Sequence, residues 1–263
     1  MSNFAGKRII VTGAASGIGH AVAEQLIAQG AEVHSLDRNR PSAAVTRHID
    51  VDLADRSSID HALTQLDGNY AALLNVAGVP GTAPPNTVFA VNTLAVRHLS
   101  ENILTRLSPG GSVVVVSSIA GFNWPARLDI IKESLATTSF EEGAQWFRDN
   151  PQEGNAYNFS KEAATVFALT MGLVFAESGR RINAVMPGPV QTPILVDFES
   201  SMGKDNLDGL RELLGRHANA DEIARVILFL ASDDASWVNG QTLIVDGGAA
   251  GAVATGLVPA PEI

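Results

Sequence analysis

The architecture of this chain can be deduced from one stretch near its start, Val11-Thr12-Gly13-Ala14-Ala15-Ser16-Gly17-Ile18-Gly19. A β-branched run at 8–12 predicts a strand, and apolar residues at four-residue spacing between Gly17 and Gly30 predict a helix. Glycines at such a junction let the backbone turn sharply and approach a pyrophosphate, which N–H groups at the helix start would bind. A plain tight turn is the alternative. The position in the first β–α unit favours a dinucleotide-binding loop.

The same alternation of short apolar runs and helical stretches continues along the chain. Further strands are predicted at 32–36, 71–75, 113–117, 181–185 and 243–245, and further helices at 58–66, 92–107, 158–177 and 220–232. We expect Pro109-Gly110-Gly111 to end the helix at 92–107. Uninterrupted apolar strands are typical of burial on both faces. The predicted fold class is α/β, a single-domain Rossmann-type doubly wound parallel sheet with helices on both faces.

Two segments and the tail depart from this alternation. A polar insertion at 124–155 carries only a weak helical pattern, and a polar segment at 190–217 with three glycines predicts a mobile loop beside the substrate. The tail after Gly251 is small and apolar and includes Leu257-Val258-Pro259-Ala260-Pro261. With no linker or internal repeat, residues 1–263 are predicted to form one domain.

Composition excludes several classes of protein. The 263 residues include no cysteine, which rules out a disulfide scaffold, a thiolate metal site and a cysteine nucleophile. A net charge of −10 argues against binding to nucleic acid. No run of about 18 apolar residues predicts a membrane span, and no secretory signal is recognisable, so we expect a soluble cytoplasmic protein. The six histidines show no metal-ligand spacing, and no metal site is predicted.

Asp37 bears on the choice of dinucleotide. It follows the second predicted strand, where a carboxylate would bind a ribose hydroxyl and repel a 2′-phosphate. Positions 14–16 carry no basic residue that could bind such a phosphate. Both observations favour NAD. Arg38 and Arg40 follow directly and leave NADP open.

A series of further motifs, in order, resembles the short-chain dehydrogenase/reductase family from about Lys7 to Gly248. The matches are Thr12-Gly13 with Gly17 and Gly19, Asp52-Leu53, Asn75-Val76-Ala77-Gly78, Asn92, Ser118, Tyr157 with Lys161, Pro187-Gly188 with Val190 and Thr192, and Asp246-Gly247-Gly248. The resemblance, together with the glycine loop, implies these coenzyme-binding residues: Gly13, Ser16, Gly17, Ile18, Gly19, Asp37, Arg38, Asp52, Leu53, Asn75, Ala77, Gly78, Tyr157, Lys161, Pro187, Gly188, Val190 and Thr192.

The resemblance also implies a catalytic group of Asn92, Ser118, Tyr157 and Lys161. Tyr157 and Lys161 are four residues apart and share one face of the predicted helix. A nearby ammonium favours the phenolate, so Tyr157 can exchange a proton with an alcohol or ketone oxygen. Ser118 would hydrogen-bond that oxygen, and Asn92 would hold a water that links Lys161 to solvent. Ser117, the neighbouring candidate, should point to the opposite side of its strand.

The insertion resembles that of one branch of the family. Ser118 and Tyr157 are much further apart than in most members, and bacterial 3α-hydroxysteroid dehydrogenase/carbonyl reductases carry a similar insertion. Elsewhere in the family the helix with the tyrosine and lysine forms a dimer contact. We therefore expect a homo-oligomer, dimer or tetramer, with the tetramer in doubt.

The expected reaction is hydride transfer between NAD, or NADP, and a secondary alcohol or ketone. We expect a bulky, apolar small-molecule substrate, such as a hydroxysteroid or a cyclic or aryl ketone, because Phe122, Trp124, positions 193–196 and the tail could line its pocket. The alternatives are a catalytically silent NAD(P)-sensing binding protein and a non-redox lyase. The intact catalytic set and Lys161 argue against both. The chain lacks a G-x-S-x-G motif, which makes a serine hydrolase unlikely.

Overall fold

A seven-stranded parallel sheet forms the centre of the molecule. The computed structural model describes residues 4–258, with only the backbone at 202, 205 and 206, so Pro259-Ala260-Pro261 of the predicted apolar tail lies outside the described residues. The sheet strands are β1 (Arg8–Thr12), β2 (Glu32–Asp37), β3 (Arg47–Asp50), β4 (Tyr70–Asn75), β5 (Leu107–Val116), β6 (Arg181–Pro187) and β9 (Thr242–Val245), in the order β3-β2-β1-β4-β5-β6-β9. Two short strands, β7 (Val190–Gln191) and β8 (Ala218–Asn219), pair separately. The direction of winding reverses between β1 and β4, which places a crevice at the carboxyl ends of these two strands.

Helices cover both faces of the sheet. They are α1 (Gly17–Ala28), α2 (Arg56–Gln65), α3 (Pro85–Phe89), α4 (Val96–Ile103), α5 (Leu128–Leu135), α6 (Phe140–Asp149), α7 (Ala156–Glu177), α8 (Leu195–Met202), α9 (Lys204–Leu214), α10 (Ala220–Ala231) and α11 (Ala249–Ala254). A π-helical segment, Ala90–Ala95, joins α3 to α4, and a 3₁₀ turn, Leu104–Arg106, follows α4. The predicted fold class is confirmed.

Two apolar layers hold the helices against the sheet. Val113 and Val115 face the layer with α2, α4 and α7, while Val114 and Val116 face the layer with α1 and α10. This division follows from the two-residue period of a strand. Burial on both faces explains why the last four residues of β5, 113–116, are all valine.

The predicted helix at 92–107 and the strand after it have different bounds. The helical path begins earlier, at Pro85, because proline is well suited to a first helical turn. It ends at Arg106, so Pro109-Gly110-Gly111 does not terminate it. These three residues instead lie within β5, at an irregularity where the register shifts between Tyr70 and Ala72 of β4.

Two further segments differ from the prediction. Strand β3 was not predicted, because an edge strand of sequence Arg-His-Ile-Asp has only one fully buried position, Ile49. The segment 190–217 is not the expected loop, since α8 and α9 occupy most of it. Most of their apolar residues line the cleft described below.

The insertion at 124–155 forms α5 and α6, which pack on the outer side of α3 and α7. The Phe89 and Phe147 rings stack with centroids 4.4 Å apart, and Phe159 of α7 lies 6.1 Å from Phe147. Trp124 and Trp146 join this aromatic cluster at its edge. The insertion therefore covers one face of α7.

Among the residues that the structure describes, one helix, α7, is long and apolar enough to cross a membrane by length and composition alone. About two thirds of its apolar window is buried inside the protein. It is accordingly a core helix of the kind found in soluble proteins.

Candidate active site

The glycine-rich loop lies at the crevice between β1 and β4. The Thr12 hydroxyl oxygen accepts hydrogen bonds from the N–H groups of Val76 and Ala77, both at 3.0 Å, and so ties the loop to the strand beside it. A β-carbon on Gly13 would lie 2.8 Å from the Ala77 α-carbon, and one on Gly19 would lie 2.1 Å from the Gly13 carbonyl oxygen. The loop has no room for side chains at these two positions.

The start of α1 points its backbone N–H groups into the same crevice. Ser16, the N-cap residue, has extended backbone and makes no capping hydrogen bond with its side chain. The first turn contains no acidic residue. The N–H groups at the helix start are therefore available to an anion, and this arrangement fits the pyrophosphate of a dinucleotide.

Asp37, the last residue of β2, is held in a fixed orientation. One carboxylate oxygen accepts the Ala15 N–H at 2.9 Å, and the other accepts the Asn39 N–H at 2.9 Å. The carboxylate thus lies beside the glycine loop, while Arg38 is exposed at the rim. Within the described residues, the Arg38 guanidinium makes no hydrogen bond or ion pair.

A single cleft of about 1550 Å³ runs along the carboxyl ends of the strands and collects most of the predicted residues. These predicted coenzyme-binding residues line it: Gly13, Ser16, Gly17, Ile18, Gly19, Asp37, Arg38, Asp52, Leu53, Ala77, Gly78, Tyr157, Lys161, Pro187, Gly188, Val190 and Thr192. The catalytic candidate Ser118 also lines the cleft.

Asn75 is the exception, and its predicted contact with the coenzyme is not supported. Its side chain is buried and its amide donates to the Ser100 hydroxyl at 3.0 Å. Alternation along β4 turns the residue toward α4 and away from the cleft. Asn75 therefore supports the edge of the site from behind.

Ser118 and Tyr157 meet on one wall of the cleft. Ser118 is the second residue after β5, and its hydroxyl oxygen accepts the Ala120 N–H at 3.2 Å. Tyr157 lies in the first turn of α7, where Asn155 caps the helix by accepting the Tyr157 N–H at 2.8 Å. Burial raises the pKa of Tyr157 to about 12, and a hydrogen bond with the Ser118 side chain opposes this rise. The two side chains are therefore neighbours in the cleft.

Lys161 lies one turn further along α7. Its ammonium donates to the Val116 carbonyl at 2.9 Å and lies 5.6 Å from the centre of the Tyr157 ring. Burial lowers the pKa of Lys161 to about 8. A hypothetical β-carbon on Gly78 would lie 3.3 Å from the Lys161 ammonium, so a side chain at position 78 would crowd the ammonium on this side.

Ser117 has a different role from Ser118. Its hydroxyl donates to the Lys161 carbonyl at 2.7 Å and accepts from the Thr165 hydroxyl at 2.8 Å. These buried contacts join the end of β5 to the middle of α7. Ser117 thus fixes the distance between the two elements that carry Ser118 and Tyr157.

Asn92 lies in the π-helical segment and does not line the cleft. Its amide donates to the Val79 carbonyl at 3.0 Å and to the Ser160 hydroxyl at 3.1 Å, and its oxygen accepts the Val79 N–H at 2.9 Å. The side chain therefore joins the loop after β4 to α7. Its predicted role in holding a water stays a prediction.

Helices α8 and α9 and the start of the tail cover the outer part of the cleft. The Phe198 ring of α8 lies 5.0 Å from the Tyr157 ring, and Leu207 of α9 is buried nearby in the cleft lining. Sequence reasoning missed both, because they lie in the segment that was predicted to be a loop. The only available signal was the recurrence of apolar residues through 194–214.

The predicted substrate-pocket residues divide between the cleft and other places. Phe122, Pro193, Ile194, Leu195 and Val258 line the cleft. Trp124 instead packs against the aromatic cluster, and Val196 is exposed.

The arrangement is suited to proton exchange with a substrate oxygen. Such an oxygen, placed between Ser118 and Tyr157, would meet two hydroxyl groups, and the Lys161 cation lies behind the phenol. The remaining length of the cleft, from Gly19 to Asp37, has the shape and donors for a dinucleotide.

Comparison with known proteins gives consistent matches along the chain. Residues 7–128 match a family model described as short chain dehydrogenase, and residues 133–250 match one described as enoyl-(acyl carrier protein) reductase. Coniferyl-alcohol dehydrogenase of Pseudomonas sp. is 41% identical, over 93% of this chain and 96% of the relative. The 3-alpha-hydroxysteroid dehydrogenase/carbonyl reductase of Comamonas testosteroni is 30% identical, over 91% of this chain and 95% of the relative. A crystal structure of 3-alpha-hydroxysteroid dehydrogenase from Pseudomonas sp. B-0831 with NADH superposes with a TM-score of 0.79 at 30% identity, over 94% and 98% of the two chains.

Proposed function

Because the chain belongs to the short-chain dehydrogenase/reductase family, we propose that it catalyses hydride transfer between NAD and an alcohol or carbonyl compound that carries a bulky, apolar group. One observation carries this proposal. Ser118, Tyr157 and Lys161 line the same cleft as the glycine loop and Asp37. A nicotinamide coenzyme, when bound, would supply the acceptor or donor of the hydride.

The protein's own residues would handle the proton. Ser118 holds the substrate oxygen and stabilises charge that develops on it. Tyr157 takes the hydroxyl proton from an alcohol, or donates its own to a carbonyl. Lys161 stabilises the phenolate through its positive charge.

Two features support NAD as the preferred coenzyme. The Asp37 carboxylate lies where a ribose hydroxyl would bind, and its negative charge would repel a 2′-phosphate. Positions 14–16 contain only alanine and serine. The related structure with NADH is consistent with this preference.

The lining of the outer cleft supports a bulky and preferably aromatic substrate. Phe122, Ile194, Leu195 and Phe198 face this region, and Phe198 adjoins the catalytic tyrosine. Apolar walls with few polar groups are typical of pockets for large apolar ligands. A hydroxysteroid, a cyclic or aryl ketone, and an aryl allylic alcohol such as that named for the Pseudomonas relative are the first substrates to test.

The experiment is a turnover assay by reduced-nicotinamide absorbance, with each substrate run with NAD and with NADP. We expect turnover with NAD, and a loss of about 100-fold or more in kcat for Tyr157→Phe, since a positioned acid–base group contributes at least that much. Full activity in Tyr157→Phe would refute the mechanism. Coenzyme binding without turnover on any substrate would instead indicate an NAD(P)-sensing protein.

We further propose that the protein is a homodimer of the cytoplasm. Trp237 and Leu173 are 98% and 80% exposed, and they flank the unpaired edge of β9, where Leu243 and Ile244 are also exposed. An exposed apolar sheet edge of this kind invites pairing with another chain. The insertion covers one face of α7, which leaves the β9 edge as the apolar surface that a second copy would bury.

A further inference from the structure

Asn155 makes contacts in two directions from the beginning of the catalytic helix. Its side-chain oxygen accepts the Tyr157 N–H at 2.8 Å, which caps α7. Its side-chain nitrogen donates to the Ser201 carbonyl at 3.3 Å, in the last turn of α8. One amide group thus joins the helix that carries Tyr157 to the helix that covers the substrate.

The surroundings fix the position of this amide. A hypothetical β-carbon on Gly81 would lie 2.6 Å from both the nitrogen and the oxygen of the Asn155 amide. The loop after β4 therefore packs directly against the amide. Because the oxygen is committed to the Tyr157 N–H, the nitrogen is the atom that faces α8.

Helix α8 has direct access to the reacting group. Its Phe198 ring packs 5.0 Å from the Tyr157 ring, at a tilt of 57°. A second contact, from the Thr82 hydroxyl to the Asp197 carboxylate at 3.3 Å, is exposed. Since water competes for exposed hydrogen bonds, the part-buried Asn155–Ser201 contact is the stronger tether of α8 to α7.

We infer that Asn155 is a positioning residue that couples the closure of α8 over the substrate to the placement of Tyr157. This inference rests on the proposed function, because it assigns Asn155 a part in that reaction. Its oxygen places the first turn of α7, and so affects catalysis through Tyr157. Its nitrogen holds α8 closed, and so affects substrate binding.

The two halves of this role can be separated by substitution. Asn155→Ser keeps a good N-cap oxygen without adding charge, but serine is too short to reach the Ser201 carbonyl. Asn155→Ala removes both contacts. Asn219→Ser is a matched control, because Asn219 caps α10 through a capping box with Glu222 and does not line the cleft.

Kinetics with a bulky substrate test the coupling. We expect Asn155→Ser to raise KM about fivefold with kcat nearly unchanged, the effect of one lost hydrogen bond. Asn155→Ala should raise KM and also lower kcat, while Asn219→Ser should leave both unchanged. Wild-type kinetics in Asn155→Ser, or the same loss of kcat in the serine and alanine variants, would overturn the inference.

Limited trypsin digestion tests the tether without any need for turnover. Lys204 and Arg211 are exposed in α9, which directly follows α8 in the covering segment, so release of α8 should speed cleavage after these two residues. We expect several-fold faster cleavage in Asn155→Ser than in the wild type or Asn219→Ser. Unchanged cleavage would refute the tether, whereas faster cleavage in a protein with no turnover would refute the proposed function alone.

A second variant, Asn155→Asp, replaces Asn155→Ser in these experiments if the serine variant does not fold. Aspartate keeps a strong N-cap oxygen but lacks the N–H donor to the Ser201 carbonyl.

Discussion

At the scale of single residues, the most informative pair is Tyr157 and Lys161. Burial moves their pKa values apart, with Tyr157 raised to about 12 and Lys161 lowered to about 8. At neutral pH the free protein therefore holds a neutral phenol, which is an acid and not a base. Proton donation to a carbonyl needs this neutral form, whereas removal of a proton from an alcohol needs the phenolate.

This difference predicts different pH dependences for carbonyl reduction and for alcohol oxidation. Carbonyl reduction should keep its rate through neutral pH, because a phenol of raised pKa stays protonated there. Alcohol oxidation should speed up as the pH rises above neutral, because each increase in pH yields more phenolate. Measurements of kcat against pH in both directions check this, and an oxidation rate that falls between neutral and mildly alkaline pH would contradict it.

The pKa of Tyr157 can be measured directly by titration. The chain has two tyrosines, Tyr70 and Tyr157, and Tyr70 is buried with its hydroxyl 3.0 Å from His34 Nδ1. In Tyr70→Phe, ultraviolet titration reports Tyr157 alone. We expect the Tyr157 pKa to fall when NAD⁺ binds, because the nicotinamide ring adds a positive charge. A pKa that does not change on saturation with NAD⁺ would contradict the proposed role of that charge.

Asp37 carries a separate prediction about the coenzyme. Asp37→Asn keeps an acceptor for a backbone N–H but removes the negative charge beside the ribose site. We expect the preference for NAD over NADP to shrink on the order of tenfold, since one repulsive charge pair near a surface is worth a few kcal/mol before screening. The ratio of kcat/KM for the two coenzymes measures this effect. Arg38→Ala is the control, and a wild-type preference for NADP that Arg38→Ala abolishes would show that Arg38 binds the phosphate instead.

At the scale of helices and strands, prediction from sequence worked where burial dictated the pattern. Strands β1, β2, β4 and β6 are apolar because both their faces are covered, and their predicted bounds lie within two residues of the observed ones. Strand β5 begins earlier than predicted, at Leu107, because Pro109-Gly110-Gly111 does not have the pattern of a buried strand. Strand β3 was missed because it is an edge strand with polar ends. Helices α8 and α9 were missed because Gly203 and Gly209 weaken the local signal, and their apolar faces are explained only by the cleft beneath them. The motif could not show that the Asn75 side chain points to Ser100 and not into the cleft, because a motif gives no side-chain direction.

The insertion is joined to the catalytic helix by a buried ion pair that no local pattern revealed. Arg127, just before α5, lies 3.2 Å from the Glu162 carboxylate of α7, whose side chain is 3% exposed. Burial raises the pKa of Glu162, and the Arg127 guanidinium opposes this rise. The guanidinium also packs over the Phe159 ring at 4.8 Å.

Removal of the cation should destabilise the protein in a pH-dependent way. Arg127→Met leaves an unpaired buried carboxylate, and we expect a loss of about 3–5 kcal/mol in the free energy of unfolding near neutral pH. A carboxyl group with a raised pKa binds its proton more tightly in the folded state, so the loss should shrink as the pH falls and Glu162 becomes protonated. Urea unfolding at neutral and mildly acidic pH measures both quantities. The double variant Arg127→Met/Glu162→Gln should recover most of the stability, and a deficit equal to that of the single variant would contradict the argument.

At the scale of the whole molecule, the proposed homodimer depends on the edge of β9. Leu243→Lys places a charge on this edge, and we expect it to convert the dimer to a monomer, because charged edge residues oppose strand pairing. Size-exclusion chromatography with light scattering gives the mass directly. Leu257→Lys changes an equally apolar, exposed residue outside the edge and should leave the dimer intact. A wild-type protein that is monomeric at micromolar concentration would refute the assignment of this surface.

The apolar layer between α1 and α10 has a consequence for the synthesis of the protein. It joins residues from both ends of the chain, with Val22 and Leu26 of α1 packed beside Ile223 and Ile227 of α10. A ribosome that has reached Gly215 has already released β1 and α1, but their covering helix has not yet been translated. The nascent chain therefore exposes an apolar face until α10 has emerged, so we expect it to bind a chaperone during translation and to release it once α10 has packed on α1.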